Sequence, residues 1–294
     1  MKRLPYVSIL LAGFLWGCIG LFVKELYRFG FAPMEVTAFR AYTACALLVV
    51  FFLFKDRKKL RLRLRDCWCF VGTGFVSFVL FNTCYFITIQ QSSLAVAAIL
   101  LYTAPVMVMV MSIILFKEKL TIKKFICLML AVLGCALVSG FGGNMNLTAL
   151  GLLTGVLSGF CYALYSIFGR YALKRYSTET VTIYTFVFAA LGVTPFLNFS
   201  SLGGIVAKEP SSLLIVLGLG LFCTVAPFLL YTKGLCHVES GKASIMASVE
   251  PVVATLLSVF FFQEPLSPLG ALGVVLVITA IVLLNLRMGK KTAA

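Results

Sequence analysis

The sequence predicts an all-α membrane protein of ten transmembrane helices, built as two inverted-topology five-helix repeats over 1–146 and 147–294. Three observations predict it. The chain is 61% apolar and 12% charged, where soluble domains are roughly 45–50% apolar and about 25% charged. It contains ten charge-poor apolar runs, each near the ~20 residues that cross ~30 Å of hydrocarbon. Its second half also repeats the pattern of the first at an offset of 146 residues.

The runs cover 5–27, 33–54, 67–89, 93–115 and 122–140, then 148–170, 180–198, 211–233, 243–262 and 267–286. The first starts after Lys2 and Arg3, as a secretory signal would, but its length to Lys24 reads as a retained helix. It holds Trp16 and a G-x-x-x-G pair, Gly13 and Gly17, a spacing that lets helix backbones approach closely. The second holds Arg40, and the third holds Asn82 and Tyr85 near one face. The fourth carries Tyr102 and Pro105; proline lacks an N–H, which frees the carbonyl of Leu101. The sixth repeats the glycine pair, at an offset slightly shorter than 146, as Gly155 and Gly159 and adds Tyr162, with Tyr165 close by. Tyr231 lies in the eighth. The ninth reads "SVEPVVATLLSVFFFQEPL" and places Glu250 beside Pro251, which frees the carbonyl of Ala247. Only short loops remain, with no room for a separate soluble domain.

The repeat runs without a gap from Val79–Gly140 against Val225–Leu286. Tyr85 falls on Tyr231, Ala97 on Ala243, Pro105 on Pro251, Ser112 on Ser258, Phe116 on Phe262 and Glu118 on Glu264. Glu250 has no counterpart, because Ala104 occupies the equivalent place. An offset of five spans is odd, so equivalent segments are expected to cross the bilayer in opposite directions. The charges agree. "KEKLTIKK" has four basic residues and its counterpart "QEPLSPLG" has none.

A net charge of +15 suggests nucleic acid in a soluble protein, but here it follows topology. With the N-terminus in the cytoplasm, 21 of the 25 Lys and Arg residues fall on the cytoplasmic side, as the positive-inside rule requires. Both termini are therefore expected inside a plasma or inner membrane, with the basic surplus against anionic lipid heads. No nucleic-acid partner is expected.

These motifs give the chain a resemblance to the EamA-type permeases of the drug/metabolite transporter superfamily, over essentially its whole length. The residues that carry it are Trp16, Gly17 and, after six residues rather than the usual seven, Lys24; Arg40 in "VTAFRAY"; and the doubled closing pattern "APVMVMVMSIILFKEKL" and "EPVVATLLSVFFFQEPLSPLGALG". The resemblance implies a ten-helix transporter with a central cavity between its halves, often an exporter of amino acids or other small metabolites.

The substrate-binding candidates are Glu250, Arg40, Trp16, Asn82, Tyr85, Tyr102, Tyr162 and Tyr231, with Pro105 and Pro251 as helix-break or gating positions. A carboxylate roughly 10 Å deep is costly unless paired, hydrated or protonated. Glu250 thus faces a wet cavity and meets a substrate amine or a proton, or else it pairs with a cation, caps a half-helix or bonds a hydroxyl. Arg40 holds a substrate carboxylate or a fixed salt bridge. Lys24 reads as a side chain that snorkels to the interface. Mid-span tyrosines want hydroxyl partners and so point to a polar cavity.

No cofactor and no metal site are expected, since a lone His237 and scattered cysteines make no ligand set. "ESGKAS" lacks the glycine spacing of a phosphate loop. A membrane-embedded enzyme and a non-transporting receptor or channel are the alternatives to a carrier. The sequence has no H-E-x-x-H, no G-x-S-G and no intramembrane aspartate pair. The expected partners are a small-molecule substrate, the bilayer and, as a coupling ion, the proton; the expected state is a monomer.

Overall fold

The computed structural model describes residues 4–140, 147–197 and 199–286, without the side chains of 200–202. The charges expected at Lys2 and Arg3 and beyond Leu286, and the repeat boundary at 146, lie outside the described residues. Among the described residues, every regular element is helical, and nine helical segments are long and apolar enough to cross a membrane. The run expected over 122–140 is a helix of 17 residues.

The first run is two helices, α1 (Leu4–Gly17) and α2 (Ile19–Arg28), that meet at Cys18. Next, α3 (Pro33–Lys55) opens on a proline, and Glu35 accepts the Ala32 N–H at 2.8 Å. The third run widens after α4 (Cys67–Phe70) into a π-helix over Val71–Leu80 before α5 (Phe81–Gln91). Repeat-equivalent π-helical turns occupy Leu221–Val225. In both places a hydroxyl donates to the carbonyl five residues back, Ser77 to Gly72 at 2.8 Å and Thr224 to Leu219 at 3.1 Å. Such π segments often mark functional sites.

The fourth run is α6 (Leu94–Leu101) and α7 (Ala104–Phe116), separated at Tyr102 and Thr103. Then come α8 (Ile122–Val138), α9 (Ala149–Ala172) and α10 (Thr178–Val193). The stretch after the seventh run, expected as a plain loop, contains the helix α11 (Phe199–Lys208). The eighth run joins α12 (Ser212–Gly220), the second π segment and α13 (Ala226–Leu235). The ninth breaks at Ser248 between α14 (Ser240–Ala247) and α15 (Val249–Phe262), and α16 (Pro268–Asn285) is the last helix among the described residues. Both broken runs thus break just ahead of their prolines. Lys117 and Gln263 end α7 and α15 in the same left-handed conformation, φ 54° and 55°. The equivalent Thr121 and Ser267 cap α8 and α16 through the N–H groups of Lys124 and Gly270.

Packing crosses between the halves. α1 lies against α13, α14 and α15, whereas α9 lies against α5, α6 and α7. The glycine pairs explain the closeness. A Cβ at Gly17 would sit 2.6 Å from Val253 Cβ, and one at Gly159 would sit 2.9 Å from the Leu100 carbonyl. Each pair therefore seats its helix on the broken run of the other half, beside the carbonyls that the breaks leave free. α8 and α16 meet at Gly134 and Gly273, where a Cβ on Gly273 would lie 2.6 Å from the Gly134 carbonyl. Gly273→Ala is accordingly expected to destabilise the protein by about 1–3 kcal/mol, seen as a lower unfolding midpoint in detergent, with the substrate range unchanged.

The basic loops gather at one end of the bundle. There Arg175 pairs with Asp66 at 2.8 Å, Lys59 with Glu179 at 3.1 Å, and Lys124 with Glu239 at 2.7 Å. Burial pushes the Glu239 carboxyl up, yet hydrogen bonds from Lys124 and Lys242 carry it below the ordinary carboxylate value.

Candidate functional site

A cavity of about 580 Å³, within the 300–1,000 Å³ range usual for small-molecule sites, lies where the two halves meet. Its mouth is at the end away from the basic loops, between exposed Tyr27, Pro33, Gln90 and Leu94. Its floor is buried and aromatic. Trp16 meets the Phe228 ring edge-on at 5.4 Å and Tyr231 at 5.3 Å, and Tyr165 packs on Phe228 at 5.0 Å. The floor hydroxyls are satisfied in pairs, Ser166 with Tyr231 at 2.8 Å and Tyr165 with Thr232 at 2.7 Å, as burial requires.

All eight substrate-binding candidates line this cavity. Glu250 is the second residue of α15, just past the break, so its side chain issues from a helix start that carries unsatisfied N–H groups. The Tyr162 hydroxyl donates to Glu250 Oε2 at 3.4 Å. Among the described residues no Lys or Arg nitrogen lies within 4.0 Å of Glu250. A neighbouring hydroxyl and a cavity-facing position are thus both realised, and a direct ion pair is not.

Arg40 projects from α3 and donates through Nε to Thr224 Oγ1 at 3.2 Å, inside the second π segment. Its guanidinium also lies 5.3 Å from the centre of the Phe78 ring, a cation–π distance. Asn82 donates to the Phe78 carbonyl at 2.6 Å, which leaves its carbonyl oxygen for the cavity. Phe81 stacks edge-on against Tyr162 at 5.4 Å and lies 6.0 Å from Tyr85, so one wall is continuous aromatic surface.

Pro105 and Pro251 are buried outside the cavity lining; their effect on the site runs through the helix breaks. Lys24, expected to snorkel to the interface, pairs with Glu264 at 3.5 Å and lies over the Phe262 ring at 3.5 Å. The charge 240 residues away holds it.

Thr37, Ser77, Phe81, Ser166 and Phe228 also line the cavity without having been singled out from sequence. Thr37 is three residues before Arg40, Ser166 four after Tyr162 and Phe81 four before Tyr85, so same-face helical spacing would have found them. Ser77 lies five residues before Asn82, a spacing that shares a face only because the helix is π-wound there.

Two stretches, residues 3–140 and 149–286, match the model of the EamA-like transporter family. They start 146 residues apart, the offset of the internal repeat. An uncharacterized transporter of Archaeoglobus fulgidus is 28% identical over 96% of both chains. The uncharacterized transporter YwfM of Bacillus subtilis is 25% identical over 97% of this chain and 95% of its own. The uncharacterized inner membrane transporter YicL of Salmonella typhimurium is 24% identical over 99% and 98%. A protein solved by crystallography superposes with a TM-score of 0.77 over 96% of each chain, at 19% identity, and so shares the fold. Matched across both of its repeats, this multi-pass membrane protein belongs to the EamA-like transporter family.

Proposed function

We propose that the protein is a secondary transporter that exports a small zwitterion of the amino-acid type, by alternating access between two inverted five-helix repeats in a ten-helix bundle. The observation that carries this reading is the pairing of opposite charges in one cavity. Glu250 and Arg40 both line it, and no salt bridge joins them among the described residues. Glu250 suits an amine, Arg40 suits a carboxylate through its forked donors, and the aromatic wall suits an apolar body between them. Glu250 also offers a proton site, which makes a proton gradient the natural coupling to test.

The inverted arrangement is supported by contacts at the basic end. There Glu118, just past the C-terminal end of α7, meets the N-terminal end of α14, the repeat equivalent of α6. The basic loops at that end support cytoplasmic termini in a plasma or inner membrane. The cavity is complete within one chain, so a monomer suffices. Outward direction rests on the resemblance to EamA-type permeases, which implies an exporter often but not always. The absence of a nucleotide loop motif supports a gradient as the energy source.

The test is counterflow in proteoliposomes across an amino-acid panel, with and without a proton gradient. Saturable exchange supports the carrier; unsaturable ion current would point to a channel, product turnover to an enzyme, and neither to a receptor. Arg40→Ala is expected to raise the half-saturation for a zwitterion by roughly 10- to 100-fold, from the ~1.5–3 kcal/mol of a charged hydrogen bond. The matching amine without a carboxylate should be affected far less. Equal affinity for the zwitterion in a folded variant removes Arg40 from the site.

A further inference from the structure

The two ends of the bundle carry the same cluster of side chains in different states. At the basic end, Glu118 Oε1 accepts the Ser240 N–H at 2.9 Å and Oε2 accepts the Gly241 N–H at 3.3 Å. Arg170 approaches Glu118 at 3.4 Å and lies over the Phe116 ring at 5.3 Å. It also donates to the Val238 carbonyl at 3.1 Å. Met109 packs beneath, where a Cβ on Gly241 would meet its sulfur at 2.7 Å. The Glu118 side chain is 4% exposed. These contacts tie α7, α9 and α14 together across the cavity's closed end.

Adding 146 to Phe116, Lys117 and Glu118 gives Phe262, Gln263 and Glu264. Subtracting it from Arg170 gives Lys24, a match carried by contact in this stretch, since Gly13 lies on the Ala247 carbonyl as Gly159 lies on the Leu101 carbonyl. Those residues form the second cluster. Lys24 pairs with Glu264 at 3.5 Å and lies over the Phe262 ring at 3.5 Å, and the left-handed residue again sets the glutamate beyond its helix. One member is missing. The positions equivalent to Ser240 and Gly241 are Leu94 and Ala95, at the start of α6. No hydrogen bond joins Glu264 to them among the described residues; Ser258 donates to Glu264 instead. Leu94 is 62% exposed at the cavity mouth, and the Glu264 side chain is 58% exposed.

We propose that these clusters are one gate built twice: Glu118 with Arg170 latches the start of α14 and shuts the basic end, and Glu264 with Lys24 latches the start of α6 to shut the mouth. In this structure the first latch is engaged and the second is disengaged, which accounts for a cavity reached from one end only. Transfer of the latch from Glu118 to Glu264 opens the basic end. The inference rests on the alternating-access reading and names the residues that would execute it. A carboxylate suits the task because each helix start presents free N–H groups and the positive end of its dipole. The cation over the ring holds the carboxylate near its target in both states.

The test is amide hydrogen exchange of the full-length protein in lipid nanodiscs, read at peptides that contain Ser240–Gly241 and Leu94–Ala95. Glu264→Gln changes an exposed side chain distant from Ser240, so its folding is not at risk. It weakens the alternative closed state, and exchange at Ser240–Gly241 is expected to slow by about tenfold or more, the effect of one charged hydrogen bond. Glu118→Gln should act in reverse, with faster exchange at Ser240–Gly241 and slower exchange at Leu94–Ala95. Glu118→Asp should keep part of the protection. A variant that alters only its own end, with the far peptide unchanged, overturns the gate. If counterflow persists alongside that result, the transporter reading stands without this gate. If exchange is reciprocal but no substrate is carried, the latches are real and the transport reading fails.

Discussion

Glu250→Gln is expected to cut transport of an amine-bearing substrate at low concentration, raising its half-saturation by about 2- to 30-fold. The reason is chemical. A neutral amide keeps the size of the side chain and can still accept from Tyr162, whose hydroxyl lies 3.4 Å from Glu250 Oε2, but it loses the charge that an ammonium group would meet. Charged hydrogen bonds contribute about 1.5–3 kcal/mol against about 1 kcal/mol for neutral ones, and 1.4 kcal/mol is tenfold in affinity. Glu250→Asp retains the charge on a shorter stem and should fall between wild type and the amide. Initial rates in proteoliposomes at several pH values check both variants. Unchanged rate, pH dependence and substrate range in Glu250→Gln would remove this carboxylate from the transport step.

Gly17→Ala should be nearly as damaging although it adds one methyl group. That methyl would lie 2.6 Å from Val253 Cβ and 2.8 Å from the Glu250 carbonyl, distances that real Cβ contacts do not reach. α1 and α15 must then separate, and the residue carried out of place is Glu250. Overpacking of this kind costs about 1–3 kcal/mol, so both a lower unfolding midpoint and loss of transport are expected. Gly203→Ala, where an added Cβ meets nothing within 4 Å, is the control. Wild-type stability and counterflow in Gly17→Ala would show that the α1–α15 contact is looser than the structure has it.

The site was legible in the sequence because its residues are chemically out of place. A carboxylate, a guanidinium, an asparagine and mid-span tyrosines in hydrocarbon need a reason to be there, and Trp16, Arg40, Asn82, Tyr85, Tyr102, Tyr162, Tyr231 and Glu250 share one cavity. The helix breaks before Pro105 and Pro251 were legible too, since an absent N–H is a local property. Other features were not. The π segments depend on a choice between hydrogen bonds four and five residues apart, and nothing in the hydrophobic pattern of Val71–Leu80 marks it. α11 was missed because ten residues with serines and glycines fall below the length of a span. The partners of Lys24 and Glu118 were hidden for another reason. The offset pairs Lys24 with Arg170 and Glu118 with Glu264, but it does not say which of them touch.

The exchange of partners between halves has a consequence for biogenesis. α1 is made long before its packing partners, which lie in α13, α14 and α15; Gly17 and Val253, for example, are 236 residues apart. At about 5–20 residues per second, α1 waits roughly 12–48 s for α15 to be made. Throughout that interval its glycine face is open to lipid or to the small-residue face of another protein. The chain should therefore depend on the insertion machinery to hold its early helices, and truncation before α14 should yield a product that is inserted yet rapidly degraded.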